Sequence, residues 1–119
     1  MHHIQRGEGR KLLLIHGLGG SWQSWSTVLY TLSADRAVIA IDLPGNGATP
    51  AETDSGTFDG LVGSVERYIT DNGLVGIDVV GSSMGARIVL ELARAAALVT
   101  WWHLIRVDSG VAGNELSLR

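Results

Sequence analysis

The stretch that decides the fold is Ile77-Asp78-Val79-Val80-Gly81-Ser82-Ser83-Met84-Gly85-Ala86. It starts as a short apolar run of strand length and ends as the opening of an amphipathic helix. Gly81-Ser82-Ser83-Met84-Gly85 fits the pattern G-x-S-x-G. That spacing has a physical purpose. A serine on a sharp strand-to-helix turn is held in a strained backbone with its hydroxyl exposed. Only glycine at the flanking positions lets strand and helix approach closely enough. The helix that follows aims its N-terminus at the same place and favours developing negative charge there. In a chain with 16 glycines the pentapeptide alone could arise by chance. Its position between a strand and a helix is the context the motif requires.

Outward from this turn, two more apolar runs have the same character. Lys11-Leu12-Leu13-Leu14-Ile15 ends at His16-Gly17, and Ala37-Val38-Ile39-Ala40-Ile41 ends at Asp42. Continuous runs suit parallel strands covered on both faces. Helical periodicity fills the gaps. Trp25, Val28, Leu29 and Leu32 form one stripe, with Ser21 and Ser24 as candidate caps. Phe58, Leu61, Val62, Val65, Tyr68 and Ile69 form a second, with Thr57 placed to cap it. Ile88, Val89, Leu92, Ala93 and Ala96 form a third, with Arg87, Glu91 and Arg94 on the opposite face. The alternation predicts an α/β fold: a mainly parallel sheet with flanking helices in three layers, α/β/α. Residues 43–56 read as a loop. His2 and His3 are expected at a free terminus.

Composition narrows the function classes. The chain has 119 residues, room for one small domain, with 9 basic and 12 acidic side chains and a net charge of −3. A nucleic-acid partner would want a basic face. With 45% hydrophobic residues the chain is too apolar to be disordered, yet no run is long enough to span a membrane. It has no cysteine, which excludes disulfides, Cys zinc sites and Cys nucleophiles and fits a reducing cytoplasm. No metal or organic cofactor is suggested.

Two other junctions bear on chemistry. His16-Gly17-Leu18-Gly19-Gly20 resembles the start of a dinucleotide-binding G-x-G-x-x-G turn, with Asp42 near the ribose-binding position. The third glycine fails, because Trp22 stands there. The alternative is a loop whose backbone N–H groups stabilise an oxyanion. Asp42 reads better as a carboxylate that pins its own turn than as a catalytic one.

Taken together, the three junctions resemble the N-terminal part of the α/β-hydrolase fold family, over residues 4 to 97. The closest likeness is to its esterase, haloperoxidase-like and carbon–carbon-bond hydrolase branch. The resemblance implies Ser83 as nucleophile, flanked by Gly81 and Gly85 at the elbow. It implies the N–H groups of Leu18 and Met84 as the oxyanion hole, with His16 and Gly17 shaping the loop. It implies an acyl-enzyme and a small-molecule acyl substrate, with no nucleic acid or membrane partner. Trp25 matches the aromatic usual at the start of the first helix. Asn46 stands where the family often has His, and Ala86-Arg87 where a second glycine is common. A serine at 83 rather than an aspartate argues against the dehalogenase and epoxide-hydrolase branches. Trp22, Trp25 and Leu18 could line an apolar acyl pocket or pack as core.

In this family the acid and the histidine of the triad follow the serine in that order. The candidates here are Asp108, Glu115 and His103, and His103 precedes both acids. Residues 1–98 therefore read as the nucleophile half of a hydrolase, truncated after its helix, lacking acid and base and inactive or weakly active. Residues 99–119 read as an atypical tail, polar and shapeless after Asp108. Plausible codons around Trp101-Trp102 spell a cleaner strand in a neighbouring frame, so a frameshift near Val99 is expected. The DNA downstream of codon 119 in all three frames decides it. With later strands missing, Ile77-Asp78-Val79-Val80 is expected to expose an unpaired edge and promote self-association. The alternative function is a non-catalytic binding module on the same sheet.

Overall fold

The computed structural model describes residues 1–96, 99–106 and 114–118, with side chains described through residue 94. Six strands form one sheet: β1 (His3–Arg6), β2 (Arg10–Ile15), β3 (Arg36–Ile41), β4 (Ile77–Ser82), β5 (Val99–Arg106) and β6 (Asn114–Leu118). Their order is β1-β3-β2-β4-β5-β6. The pairs β2–β3, β2–β4 and β4–β5 are parallel, and β1 and β6 pair antiparallel at the two edges. Three α-helices, α1 (Ser26–Leu32), α2 (Phe58–Asp71) and α3 (Met84–Ala96), lie between the strands in sequence.

The period of two along a strand sorts the side chains of β2 and β3 into two cores. Leu13, Ile15, Ile39 and Ile41 face α2 and α3, packing with Leu61, Val65, Ile69, Ile88 and Leu92. Leu12, Leu14, Val38 and Ala40 face the other way, onto Trp25 and Leu29. Helices on both faces explain why the strands are continuously apolar. Two helical starts follow the sequence, while α1 begins after Trp25 with no side-chain cap. Ser21 caps the short 3-10 turn Trp22–Trp25 in a capping box with Ser24. Thr57 Oγ1 accepts from Gly60 N–H at 3.0 Å to cap α2. Arg94 reaches Glu91 at 3.1 Å on the outer face of α3, while Arg87 lies over the Phe58 ring at 4.6 Å.

The structure departs from the sequence reading at both ends of the chain. The N-terminal residues are not free. β1 pairs with β3, and His2 Nδ1 meets Asp42 Oδ2 at 2.9 Å. Nor does β4 have an open edge, because β5 lies parallel to it with Gly81 opposite Leu104. The tail is not shapeless throughout, since Asn114–Leu118 forms β6 against β5. The sheet thus continues past α3. Asp108 lies outside the described residues.

The far end of the sheet is structural. The buried Asp78 carboxylate, at the start of β4, receives Arg36 at 2.8 Å and Arg10 at 3.2 Å. Arg36 also donates to the carbonyls of Arg10 and Lys11. A cavity of about 250 Å³ lined by Arg10, Lys11, Leu74 and Asp78 lies at this end. Five residue steps along the strand, about 16 Å, separate Asp78 from Ser83.

Candidate active site

The site is built at the carboxyl ends of the parallel strands, where α/β sheets present their loops. Ser83 stands between the end of β4 and the start of α3, with φ at +54°. Among the described residues it is the one non-glycine with positive φ. A β-carbon there crowds the following carbonyl, at a cost of roughly 1–2 kcal/mol. The surrounding packing has to impose this conformation. The Ser83 carbonyl accepts from Ala86 N–H at 3.0 Å, so the helix begins immediately.

Both flanking glycines are required by space. A Cβ at Gly81 would overlap the Gly85 carbonyl and stand 2.6 Å from Ala86 N. A Cβ at Gly85 would overlap the Ile15 carbonyl oxygen and stand 2.7 Å from that of His16. Strand β4, helix α3 and the end of β2 therefore meet in backbone contact at this turn. Strain at Ser83 gives a direct expectation. Ser83→Gly should be more stable than Ser83→Ala by about 1 kcal/mol in denaturant unfolding, because only glycine relaxes at this φ. Equal stabilities would mean the backbone is not strained there.

Gly17 lies against the serine. A Cβ on it would be 3.1 Å from Ser83 Cβ and 3.6 Å from Ser83 Oγ. The loop then turns, with Gly20 N–H donating to Gly17 O at 3.1 Å and Gly19 at φ +73°. Leu18, between them, is 85% exposed. Met84 begins α3 and packs partly against the larger core. The loop after β2 thus meets the β4–α3 turn at Gly17 and Ser83, with Leu18 following Gly17 and Met84 following Ser83 in the chain.

His16 is fully buried and has no free nitrogen. Leu43 N–H donates to Nε2 at 3.0 Å, so Nε2 carries no proton. The proton is then on Nδ1, which donates to Gly17 O at 2.6 Å. The ring links the loop after β2 to the loop after β3. His3 stacks edge-on against Tyr68 at 5.8 Å, and His2 is held by Asp42. His103 lies on β5, in register with Val80. Among the described residues Ser83 Oγ has no hydrogen-bond partner. No group of three metal-ligating side chains occurs among them either.

Asp42 is 1% exposed and both of its carboxylate oxygens are hydrogen-bonded. Oδ1 accepts Trp22 N–H at 2.7 Å, and Oδ2 accepts Ala48 N–H at 2.9 Å as well as the His2 ring. Burial pushes its pKa up, but the two amides and the His2 ring outweigh this and hold it below the usual carboxylate value. A carboxylate buried in this way and committed to its own turn is not presented to a ribose, which argues against the dinucleotide alternative. Trp25 is core at 6% exposure and Trp22 is a partly buried residue packed against the same cluster, so of these three Leu18 alone is largely exposed.

The model of the α/β hydrolase fold matches residues 11–99. The chain belongs to the α/β-hydrolase fold family. Its relatives in that family are varied. It is 33% identical over 94 residues to the dihydrolipoyllysine-residue acetyltransferase component of the acetoin cleaving system of Cupriavidus necator, covering 78% of this chain and 25% of that one. It is 34% identical over 88 residues to the (E)-2-((N-methylformamido)methylene)succinate hydrolase of Acinetobacter baylyi, covering 73% and 33%. The crystal structure of an epoxide hydrolase from Vigna radiata superposes with a TM-score of 0.76 at 28% identity, covering 85% of this chain and 33% of that one. The chain therefore spans a quarter to a third of the length of these relatives. As a member of the family it shares the α/β fold of known hydrolases. None of its described helices is long and apolar enough to cross a membrane.

Proposed function

We propose that this chain carries the nucleophile and oxyanion portion of a serine hydrolase that cleaves an ester or similar acyl bond through an acyl-enzyme on Ser83. The observation that carries this reading is the left-handed φ of Ser83 on a turn closed by Gly81 and Gly85, with Gly17 packed beside it. The Ser83 oxygen attacks the acyl carbon as its proton passes to a base, and the carbonyl oxygen becomes an oxyanion. The N–H groups of Leu18 and Met84 receive that charge, supported by His16 and Gly17, with the N-terminus of α3 behind them. Collapse expels the alcohol, which takes up that proton, and water then releases the acid from Ser83. The substrate is a small acyl compound, with Leu18 as an apolar contact. The reaction needs no metal or organic cofactor, and the compartment is the cytoplasm.

A serine hydroxyl needs a base to take its proton. Of the described imidazoles, those of His2 and His16 are hydrogen-bonded elsewhere and that of His3 lies against Tyr68, so this reading draws the acid and histidine from outside the described residues. By itself the chain is weakly active or inactive. The proposed frameshift at residues 99–119 belongs to this reading. Self-association would use the edges at β1 or β6. The unpartnered Ser83 hydroxyl favours one alternative, a non-catalytic binding module on the same fold. A chromogenic short-chain ester, offered to the protein and to Ser83→Ala, separates the two. The hydrolase reading expects a small rate over water, at most on the order of 10³-fold, from oxyanion stabilisation without a triad. It expects Ser83→Ala to lose any part that passes through the acyl-enzyme. A binding module expects identical background in both proteins. Robust turnover abolished by Ser83→Ala would instead place a working base within this chain.

A further inference from the structure

Three segments converge on one buried carboxylate, and one of them is the loop that packs against Ser83. That loop, residues 16–22, is anchored at two points. At its start His16 accepts Leu43 N–H at 3.0 Å and donates to Gly17 O at 2.6 Å. At its end Trp22 N–H donates to Asp42 Oδ1 at 2.7 Å. Asp42 and Leu43 are adjacent residues, so both anchors belong to one junction at the end of β3. Between the anchors the loop carries Gly17 against Ser83 and the exposed Leu18. The junction is itself fixed. Ala48 N–H and the His2 ring hold Asp42 Oδ2, and Thr49 Oγ1 donates to the Asp42 carbonyl at 2.7 Å. Gly47, at φ +52°, leaves room for the carboxylate where any Cβ would overlap it.

Resting on the serine-hydrolase reading, we propose that Asp42 is a positioning residue for the oxyanion hole, acting through Trp22 N–H to set where Leu18 N–H stands relative to Ser83. Asp42 does not touch the reacting atoms. Its charge-assisted bond to Trp22 N–H fixes the far end of the loop, as His16 fixes the near end. A loop anchored at His16 alone would let its middle drift, and a misplacement of about 1 Å in oxyanion donors is expensive. The N-terminal segment enters the same clamp through His2, which lies outside the family match at residues 11–99.

The bond can be removed without touching Asp42. Trp22 is the first residue of the 3-10 turn, and Ser21 before it is extended, at φ −160° and ψ −175°. A proline fits both requirements, at a first-turn position and after an extended residue. Trp22→Ala removes the indole and keeps the N–H, whereas Trp22→Pro removes both. The difference between them reports the amide bond to Asp42, apart from the packing of the indole. The probe is phenylboronic acid, titrated into the intact protein and followed by ¹¹B NMR. Ser83 Oγ forms a bond to boron, boron passes from trigonal neutral to tetrahedral anionic, and the hydroxyl proton leaves to buffer. The tetrahedral boronate places its oxygen where the oxyanion would lie. The expected result is a tetrahedral signal in the parent protein and none in Ser83→Ala. Trp22→Pro should bind about tenfold more weakly than Trp22→Ala while keeping a folded amide spectrum. If Trp22→Pro does not fold, Asp42→Asn is read instead, again with an expected loss of about tenfold, because its single carbonyl oxygen cannot replace both acceptors. Equal affinity in Trp22→Pro and Trp22→Ala, or parent affinity in Asp42→Asn, would overturn the role of Asp42 and leave the nucleophile reading standing. No tetrahedral signal in the parent would overturn the nucleophile reading and the positioning role with it.

Discussion

Gly85→Ala is expected to abolish the folded state or bring it close to the threshold. The added methyl would lie inside contact range of two backbone carbonyls, those of Ile15 and His16, at the junction of β2, β4 and α3. Backbone cannot swing aside as a side chain can, so the elbow itself has to open. A loss of at least about 3 kcal/mol is expected, a large share of the roughly 5–15 kcal/mol that holds a domain of ordinary stability. The same chemical change has the opposite sign elsewhere. Gly63 lies within α2, and a Cβ there would meet only the Arg67 guanidinium, at 3.5 Å. Gly63→Ala should therefore stabilise by up to about 1 kcal/mol through helix propensity. Urea unfolding of the two variants checks this. A mild Gly85→Ala, within about 1 kcal/mol of the parent, would mean that the close approach of helix and strand is not required.

Asp42→Ala should be the second severe substitution. Its carboxylate satisfies Trp22 N–H, Ala48 N–H and the His2 ring while almost wholly buried. Truncation leaves two backbone amides without their acceptor, and hydrogen bonds to charged groups contribute roughly 1.5–3 kcal/mol each. A total loss of about 3–5 kcal/mol follows, reduced where water can enter. The pH dependence has a definite sign. Because the folded pKa is lowered, the unfolded chain takes up the proton first. The stabilisation is fully present above the unfolded value near 4 and is lost as pH falls through the folded value. The parent should therefore lose stability below about pH 4 more steeply than Asp42→Asn, which has no such proton to bind. Parallel curves for the two proteins in that range would show that the carboxylate charge contributes nothing.

These two positions also show how far the sequence can be read. The three apolar runs announce parallel strands because each is buried on both faces, and β2, β3 and β4 follow them closely. The glycines of the elbow are legible because their spacing answers a steric need. β1 is a different case. Its residues His3–Arg6 carry no apolar alternation, and the strand exists because the β3 edge offers backbone partners to it. Local pattern holds no trace of that. Asp42 reads correctly as a residue that pins its own turn, but its reach to Trp22 and His2 spans 20 and 40 residues. A contact at that distance in sequence appears only once the sheet is assembled. The tail misleads for a related reason: Asn114–Leu118 holds only a brief alternation, Leu116 and Leu118 between polar residues, and it becomes a strand through pairing with β5. His16 shows the reverse, a residue whose place beside the candidate site is readable while its tautomer depends on the amide of Leu43.

The nucleophile is the centre of this account, and covalent labelling tests it most directly. The protein and Ser83→Ala are incubated with an alkyl fluorophosphonate at mildly alkaline pH, and the products are mapped by peptide mass spectrometry. The serine oxygen displaces fluoride at phosphorus, and the phosphoryl oxygen occupies the oxyanion position. With no engaged base the reaction should be slow, yet it should modify Ser83 selectively and leave Ser83→Ala unlabelled. Modification spread over the other serines, or a parent protein that stays as inert as Ser83→Ala, would contradict the assignment of Ser83 as nucleophile.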